Sequence, residues 1–341
     1  HGPQVAPEKS WVCFEENGKP MLRNEYYYLN PALPEVKTYL KKVIRHFVSN
    51  YNIDGLHFDR IRYPGDEYLY DPYTLKEFKQ DSLRNPMTRA EWARTTLTDL
   101  VEGVVTEAML IKPYLTNSAA TWGLYKTKDI KGYEEFNSGY SRYFQDAIGW
   151  LDQGIMDFIV PMIYWDMHNP LPNFDDLWLD FKSRTKHYKK IFPGLILKKG
   201  WIENGEIARQ IEFVRENEGE GTVMFAIGAE KDSRMQIIRN IIYPQKVKYP
   251  VNLKGTTPEQ IYALDMKNYL SDHKGGQDIF INDKKVKSTD SKGKIGFIYK
   301  EGIDSLSLAT TSDTVKLSTR FWQIPYNYTV KKDSTIGRES P

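Results

Sequence analysis

Cysteine is all but absent from this 341-residue chain: Cys13 stands alone, so no internal disulfide and no Cys-x-x-Cys redox or zinc-ribbon arrangement can form within it. The six histidines lack the spacing of a His-Glu-x-x-His helix, and no metal or other cofactor is expected. No run approaches the ~20 apolar residues of a membrane-spanning helix, so no transmembrane segment is expected. Charge of one sign is lacking too. The formal net charge is +2 and the basic residues are dispersed, whereas a phosphate backbone calls for a concentrated basic face, so nucleic acid is not the expected partner. The first residues, His1-Gly-Pro-Gln-Val, read as the interior of a longer chain, with any targeting signal expected outside it.

What is present is an apolar fraction of 40%, enough for a large core, and an aromatic fraction of 13% that includes 23 Tyr and 8 Trp. Such rings pack cores, and they also stack on the C–H faces of sugars while phenols meet hydroxyls. Composition alone leaves both uses open.

Along the chain a helix-then-strand unit recurs. Val36, Leu40, Val43, Ile44, Phe47 and Val48 repeat near 3.6 residues and predict a helix over 34–50 with an apolar face, opened by Pro34. A turn at Asp54-Gly55 leads into a short strand at 56–58, and Asp54 is read as a turn residue only. Further helix and strand pairs are expected at 89–111 and 114–119, 142–153 and 158–164, 177–188 and 191–197, and 206–216 and 222–227. The strands are apolar runs without clean alternation, which suits a parallel sheet covered on both faces. An open doubly wound sheet and a (β/α)8 barrel both meet that description. No glycine-rich phosphate loop follows any strand, which weakens the open nucleotide-binding sheet. The barrel explains why polar and aromatic residues gather just after strands. The fold class is therefore read as α/β, a TIM-type (β/α)8 barrel. Five units against eight strands and ~250 residues for a whole barrel imply that the N-terminal strands lie outside this chain. Residues 1–245 then hold strands four to eight.

After 245 the pattern changes. A short helix is expected at 256–270, then short strands at 279–281, 295–299, 305–308, 315–318 and 326–330 with polar turns between them. This predicts a small β-sandwich-like domain at 246–330, either a carbohydrate-binding module or, the favoured reading, a structural brace. Residues 331–341 read as a linker or tail, with a further domain possible beyond either end.

The strongest chemical signal is His57-Phe58-Asp59-Arg60-Ile61-Arg62-Tyr63-Pro64. A buried strand that ends in a carboxylate, followed by Arg and Tyr, places an ionisable cluster at a barrel mouth. A guanidinium beside Asp59 would keep it anionic, as a nucleophile or cation stabiliser requires; an ion pair holding the loop is the structural alternative. His57 alternates with Phe58, so it faces the lumen near Asp59 or is a satisfied core histidine.

The runs Tyr-Tyr-Tyr-Leu-Asn-Pro at 26–31, Pro34-Glu35-Val36 and Tyr-Asn-Ile-Asp-Gly-Leu-His-Phe-Asp-Arg-Ile-Arg-Tyr-Pro at 51–64 carry a family likeness. So do Gln145-Asp146, Trp150-Leu151, Gly154-Ile155-Met156-Asp157 and Val160-Pro161-Met162-Ile163-Tyr164-Trp165. Over 10–230 the chain resembles glycosyl hydrolase-like family 10, bacterial envelope proteins formerly designated domain of unknown function 187. The resemblance implies a (β/α)8 barrel acting on bacterial cell-wall glycans, with Asp59 after barrel strand four and the chain starting after strand three. Met162 stands where the family pattern has Gln, so a polar contact at that position is in doubt.

On this reading the chain is an O-glycosidase acting on peptidoglycan-like or related polysaccharide, outside the cytoplasm: periplasmic, extracellular or outer-membrane-anchored. Asp59 is the nucleophile or electrostatic stabiliser, with Arg62 and Tyr63 as its supports. The acid/base is sought among Asp166, Glu230 and Glu203, Asp166 being best placed because burial by Trp165 would make it a better acid. Subsite walls and hydroxyl partners are expected from His57, Trp122, Tyr164, Trp165 and Trp201, with Glu203 another substrate-binding candidate, and from Asn117, which otherwise only caps its loop. A glycan-binding barrel without activity and an envelope scaffold are the alternatives.

Overall fold

Five short strands, each preceded by a helical segment, build the larger part of the molecule. The structure is a computed structural model that describes residues 10–21, 27–112, 115–197, 205–226 and 240, and the C-terminal strands named below. Helix α1 (Pro34–Asn50) leads to β1 (Gly55–Phe58). Then come α2 (Pro72–Arg84), α3 (Arg89–Ile111) and β2 (Thr116–Trp122). Two short helices, α4 (Gly139–Arg142) and α5 (Ala147–Asp152), precede β3 (Phe158–Met162). Finally α6 (Phe174–Ser183) leads to β4 (Gly194–Ile196), and α7 (Glu206–Glu216) to β5 (Val223–Phe225).

The sheet order is β1-β2-β3-β4-β5 and every pairing is parallel. A doubly wound sheet reverses its order at a switch point. Here each new strand adds on the same side, which is how a (β/α) barrel grows. The chain therefore forms a TIM-like half-barrel of α/β class.

Register fixes which side chains share a face. His57 stands beside Ser118, Ser118 beside Phe158, Met162 beside Gly194, and Gly194 beside Val223. Counting by twos along each strand then puts His57, Asp59, Trp122, Met162, Val223 and Phe225 on one face. Leu56, Ala119, Ile159 and Leu195 point the other way and are buried. The first face holds the exposed positions of the sheet, and it is the face on which the candidate site lies.

Several expectations are corrected. Val43 and Phe47 of α1 are exposed, in an i, i+4 row with Tyr39 and Tyr51, and only the narrower stripe through Val36 and Val48 is buried. The helix expected over 142–153 is broken between α4 and α5, where Phe144 takes a left-handed φ of 52°. Helix α2 was not expected. Asp71 caps it by accepting the Thr74 amide at 2.9 Å, Pro72 fills the first turn, and Asn30 Nδ2 donates to both Asp71 (2.8 Å) and Thr74 Oγ1 (2.9 Å). That buried network ties the entering segment to the helix.

The C-terminal region holds β6 (Gln260–Asp265), β7 (Asp278–Ile281), β8 (Lys284–Ser288), β9 (Lys294–Tyr299), β10 (Leu306–Ala309), β11 (Thr314–Leu317), β12 (Asn327–Val330) and β13 (Ile336–Arg338). They form two four-stranded sheets, β11-β10-β7-β8 and β13-β12-β6-β9, antiparallel except for β12 with β6. The helix expected at 256–270 gives way to β6, and β13 forms inside the expected tail. By contacts the chain divides into one unit of His1–Val36, Gly55–Asp99 and Thr116–Lys254 and another of Lys37–Asp54, Leu100–Leu115 and Gly255–Pro341.

Candidate active site

Asp59 is the first residue beyond β1, and the chain turns sharply there. Arg60 adopts φ 53°, its amide donates to Asp59 Oδ1 at 2.7 Å, and the Arg62 amide donates to the Arg60 carbonyl at 2.9 Å. A left-handed non-glycine residue costs roughly 1–2 kcal/mol, so the surroundings must hold the turn. Two anchors do so. The Tyr63 amide donates to the Tyr143 carbonyl at 3.1 Å, and the Tyr63 ring packs edge-on against Phe144 at 5.5 Å. Gln145, buried, donates from Nε2 to the Ile61 carbonyl at 3.0 Å and accepts the Trp122 amide on Oε1 at 2.7 Å. One side chain thus ties the loop after β1 to the end of β2.

Two groups share the electrostatics of Asp59. His57, exposed on the open face, has its Nδ1 2.8 Å from Ser118 Oγ, and that hydroxyl donates to the Leu56 carbonyl at 3.4 Å. Partial desolvation holds the imidazole below its ordinary pKa, with Asp59 pulling the other way. Tyr164, two residues past β3, is the second. Desolvation, and after it the charge of Asp59, push its phenol up to about 12, so it stays protonated as a donor. The Tyr164 ring stacks on Phe225 with centroids 6.1 Å apart and planes 26° apart. Phe225 closes β5 and is 56% exposed.

Other expected residues fall elsewhere. Arg62 makes no ion pair with Asp59 among the described residues; its guanidinium lies over Trp122 (5.5 Å) and Tyr143 (5.8 Å), where cation–π attraction orients the Trp122 ring. Tyr63 is 0% exposed, hence a core anchor rather than a hydroxyl partner in the cleft. Asn117 is the second residue of a strand that runs on to Trp122, at the end opposite Asp59 and 1% exposed. Its backbone amide donates to Asp157 Oδ2 at 2.7 Å and its carbonyl accepts the Asp157 amide at 2.8 Å, which fixes the entry of β2.

Trp122 sits at the end of β2, half-buried, its Nε1 donating to the Asn137 carbonyl at 2.8 Å. Gly123 beside it has no room for a Cβ, which would lie 2.2 Å from the Met162 carbonyl oxygen. The loop after β3 is held from α7. Glu206, a buried carboxylate paired with Arg209, accepts the Met167 amide (2.9 Å) and Gln210 Nε2 (2.8 Å), and Gln210 also donates to the Trp165 carbonyl (3.0 Å). Asp166 Oδ1 accepts the His168 amide at 3.1 Å, so its carboxylate closes its own loop. Trp201, Glu203 and Glu230 lie outside the described residues. Gln145, Phe225, Glu206 and Gln210 escaped the sequence reading. Only the Gln145-Asp146 pair carried a signal, as part of a recognisable motif. Among the described residues no cluster of three His, Cys, Asp or Glu could hold a metal ion, and no helix is long and apolar enough to cross a membrane.

The site so described is a carboxylate at the C-terminal edge of a parallel (β/α) sheet, on a face that also carries His57, Trp122 and Phe225. The chain belongs to the glycosyl hydrolase-like 10 family, which it matches over residues 8–192, more than half its length. It is 26% identical over 209 residues to glycosyl hydrolase DigH of Escherichia coli K12 (54% of this chain, 46% of that protein). It is likewise 26% identical over 214 residues to glycosyl hydrolase YngK of Bacillus subtilis 168 (57% and 40%). The chain thus spans less than half the length of these relatives. Among solved structures, the cell-surface chitinase ChiW of a Paenibacillus aligns over 82% of this chain and 42% of that one, at 11% identity and a TM-score of 0.39.

Proposed function

We propose that the protein is a glycosidase that cleaves O-glycosidic bonds in bacterial cell-wall, peptidoglycan-like glycans or related polysaccharide. The five strands are strands four to eight of a (β/α)8 barrel, residues 246–330 form a mainly β accessory domain, and the protein works outside the cytoplasm. Asp59 is the nucleophile or the stabiliser of the oxocarbenium-like transition state. The observation that carries this reading is the position of Asp59 just beyond β1, on the open face of the parallel sheet that also presents His57 and Trp122. A phenol held protonated can donate to the carboxylate or to a sugar oxygen as charge develops. The acid/base is a second carboxylate, Asp166 or Glu230, with Glu203 as the further candidate. Trp122, Trp165 and Trp201 serve as subsite walls.

A second reading, a glycan-binding barrel without turnover, draws on Asp166, whose carboxylate serves the His168 amide. One experiment separates them. Purified peptidoglycan, with and without stem peptides, is incubated with full-length wild type and with Asp59→Asn, and the soluble products are identified by mass spectrometry. A glycosidase releases new reducing-end fragments, and Asp59→Asn lowers the rate by about a hundredfold or more. No fragments from wild type, together with pull-down of the glycan, establishes the binding barrel instead.

A further inference from the structure

The exposed end of β5 is the feature of the site left without a use. Phe225 presents a bare ring on the same sheet face as Asp59 and His57, beside Val223, which is also exposed. Tyr164 lies against it nearly parallel, its hydroxyl in the field of Asp59. An exposed phenyl stacked beside a phenol makes a surface with one apolar wall and one hydrogen-bonding wall. A hexopyranose has the matching division, with axial C–H groups on one face of the ring and hydroxyls around its rim.

We propose that Phe225, with the edge of Tyr164, forms the apolar platform of a sugar subsite on the open sheet face and stacks on the C–H face of a hexopyranose. The proposal rests on the reading that the Asp59 cleft takes glycan, and it adds to that reading a specificity-determining residue on β5. The Tyr164 hydroxyl meets the hydroxyl rim of the same sugar. The platform selects rings with an unobstructed C–H face. Aromatic stacking of this kind is worth about a three- to tenfold change in affinity.

Binding is measured in the Asp59→Asn background of the full-length protein, so that turnover does not intrude. The probes are the tetrasaccharide of N-acetylglucosamine, by calorimetry, and insoluble peptidoglycan, by pull-down. Phe225→Ala and Phe225→Leu should each weaken binding about three- to tenfold, whereas Phe225→Trp should retain or tighten it. Thermal melts of each variant accompany the titrations. A residue that only fills the sheet face would make Ala unstable and leave Leu binding like the parent. Equal binding by parent, Leu and Trp variants therefore overturns the platform while leaving the glycan reading intact. If the Asp59→Asn parent with Phe225 in place binds neither probe, the glycan reading itself falls, and the platform with it.

Discussion

Replacing Gln145 by Met should destabilise the protein by about 2–4 kcal/mol, although the two side chains are nearly equal in volume. The side chain makes two short hydrogen bonds to backbone groups, Oε1 with the Trp122 amide at 2.7 Å and Nε2 with the Ile61 carbonyl at 3.0 Å. A longer one runs to the Ala120 carbonyl at 3.4 Å. Met fills the space and satisfies neither short bond. Each buried backbone group left without a partner costs roughly 1–3 kcal/mol, and partial access of water at the strand ends keeps the sum near the lower part of the range. Against a total stability of ~5–15 kcal/mol that is a large fraction. Urea unfolding followed by circular dichroism measures it, with the slope checked for constancy across the series. Gln145→Glu sharpens the reasoning. The carboxylate still accepts from Trp122, but its other oxygen faces the Ile61 and Ala120 carbonyls, so at neutral pH the loss should equal or exceed that of Met. As the pH falls and the carboxyl protonates, an O–H can donate to Ile61, and part of the stability should return. A cost below about 0.5 kcal/mol for Met, or wild-type stability for Glu at pH 7, would refute the view that this side chain clamps the two loops.

Two further outcomes follow from the same neighbourhood. Tyr63→Phe should leave activity unchanged and hold or raise stability by up to about 1 kcal/mol, because the buried hydroxyl has no hydrogen-bond partner among the described residues; a loss above about 1 kcal/mol in urea melts would show that it has one. His57 has a folded-state pKa below its ordinary 6.5, so the unfolded chain takes up the proton first as pH falls. Its contribution to stability is present above pH 6.5 and is lost as pH drops through the lowered folded-state value, so wild type should lose more stability than His57→Gln below pH 6.5; parallel curves from pH 7.5 to 5 would count against this assignment.

The half-barrel was legible because parallel strands under helices are written as short apolar runs between amphipathic segments, and all five runs are strands of one sheet. Boundaries were harder wherever polar residues do structural work inside an element. Thr116-Asn117-Ser118 reads like the exit of a strand, yet it is the entry. Asn117 is paired there with Asp157, and the strand continues through Ala119 and Ala120 to Trp122. That shift of a few residues moves Asn117 from the mouth of the sheet to its base. Helix α2 was written in Asp71-Pro72 and Thr74, a capping residue before a proline. The break between α4 and α5 had no local signal. Phe144 accepts a left-handed φ because Gln145 must reach two loops, a demand set by tertiary structure.

The site divides along the same line. Asp59, His57 and Tyr164 could be named from the sequence because each lies at or just past the end of a strand, where a barrel displays its chemistry. Arg62 and Tyr63 shared that address and were assigned to the carboxylate on proximity in sequence alone. A turn with a left-handed Arg60 reverses the chain between them and Asp59, sending one side chain onto Trp122 and the other into the core. Proximity in sequence is a poor guide across such a turn, because one residue of left-handed backbone redirects every side chain after it. Phe225 was invisible for the opposite reason. A phenylalanine in an apolar strand reads as core, and only the register that sets β5 beside β4 turns its ring to the face that Asp59 occupies. What sequence cannot supply is therefore the facing of side chains, and for a sugar-binding cleft that facing decides which ring is a wall and which is ballast.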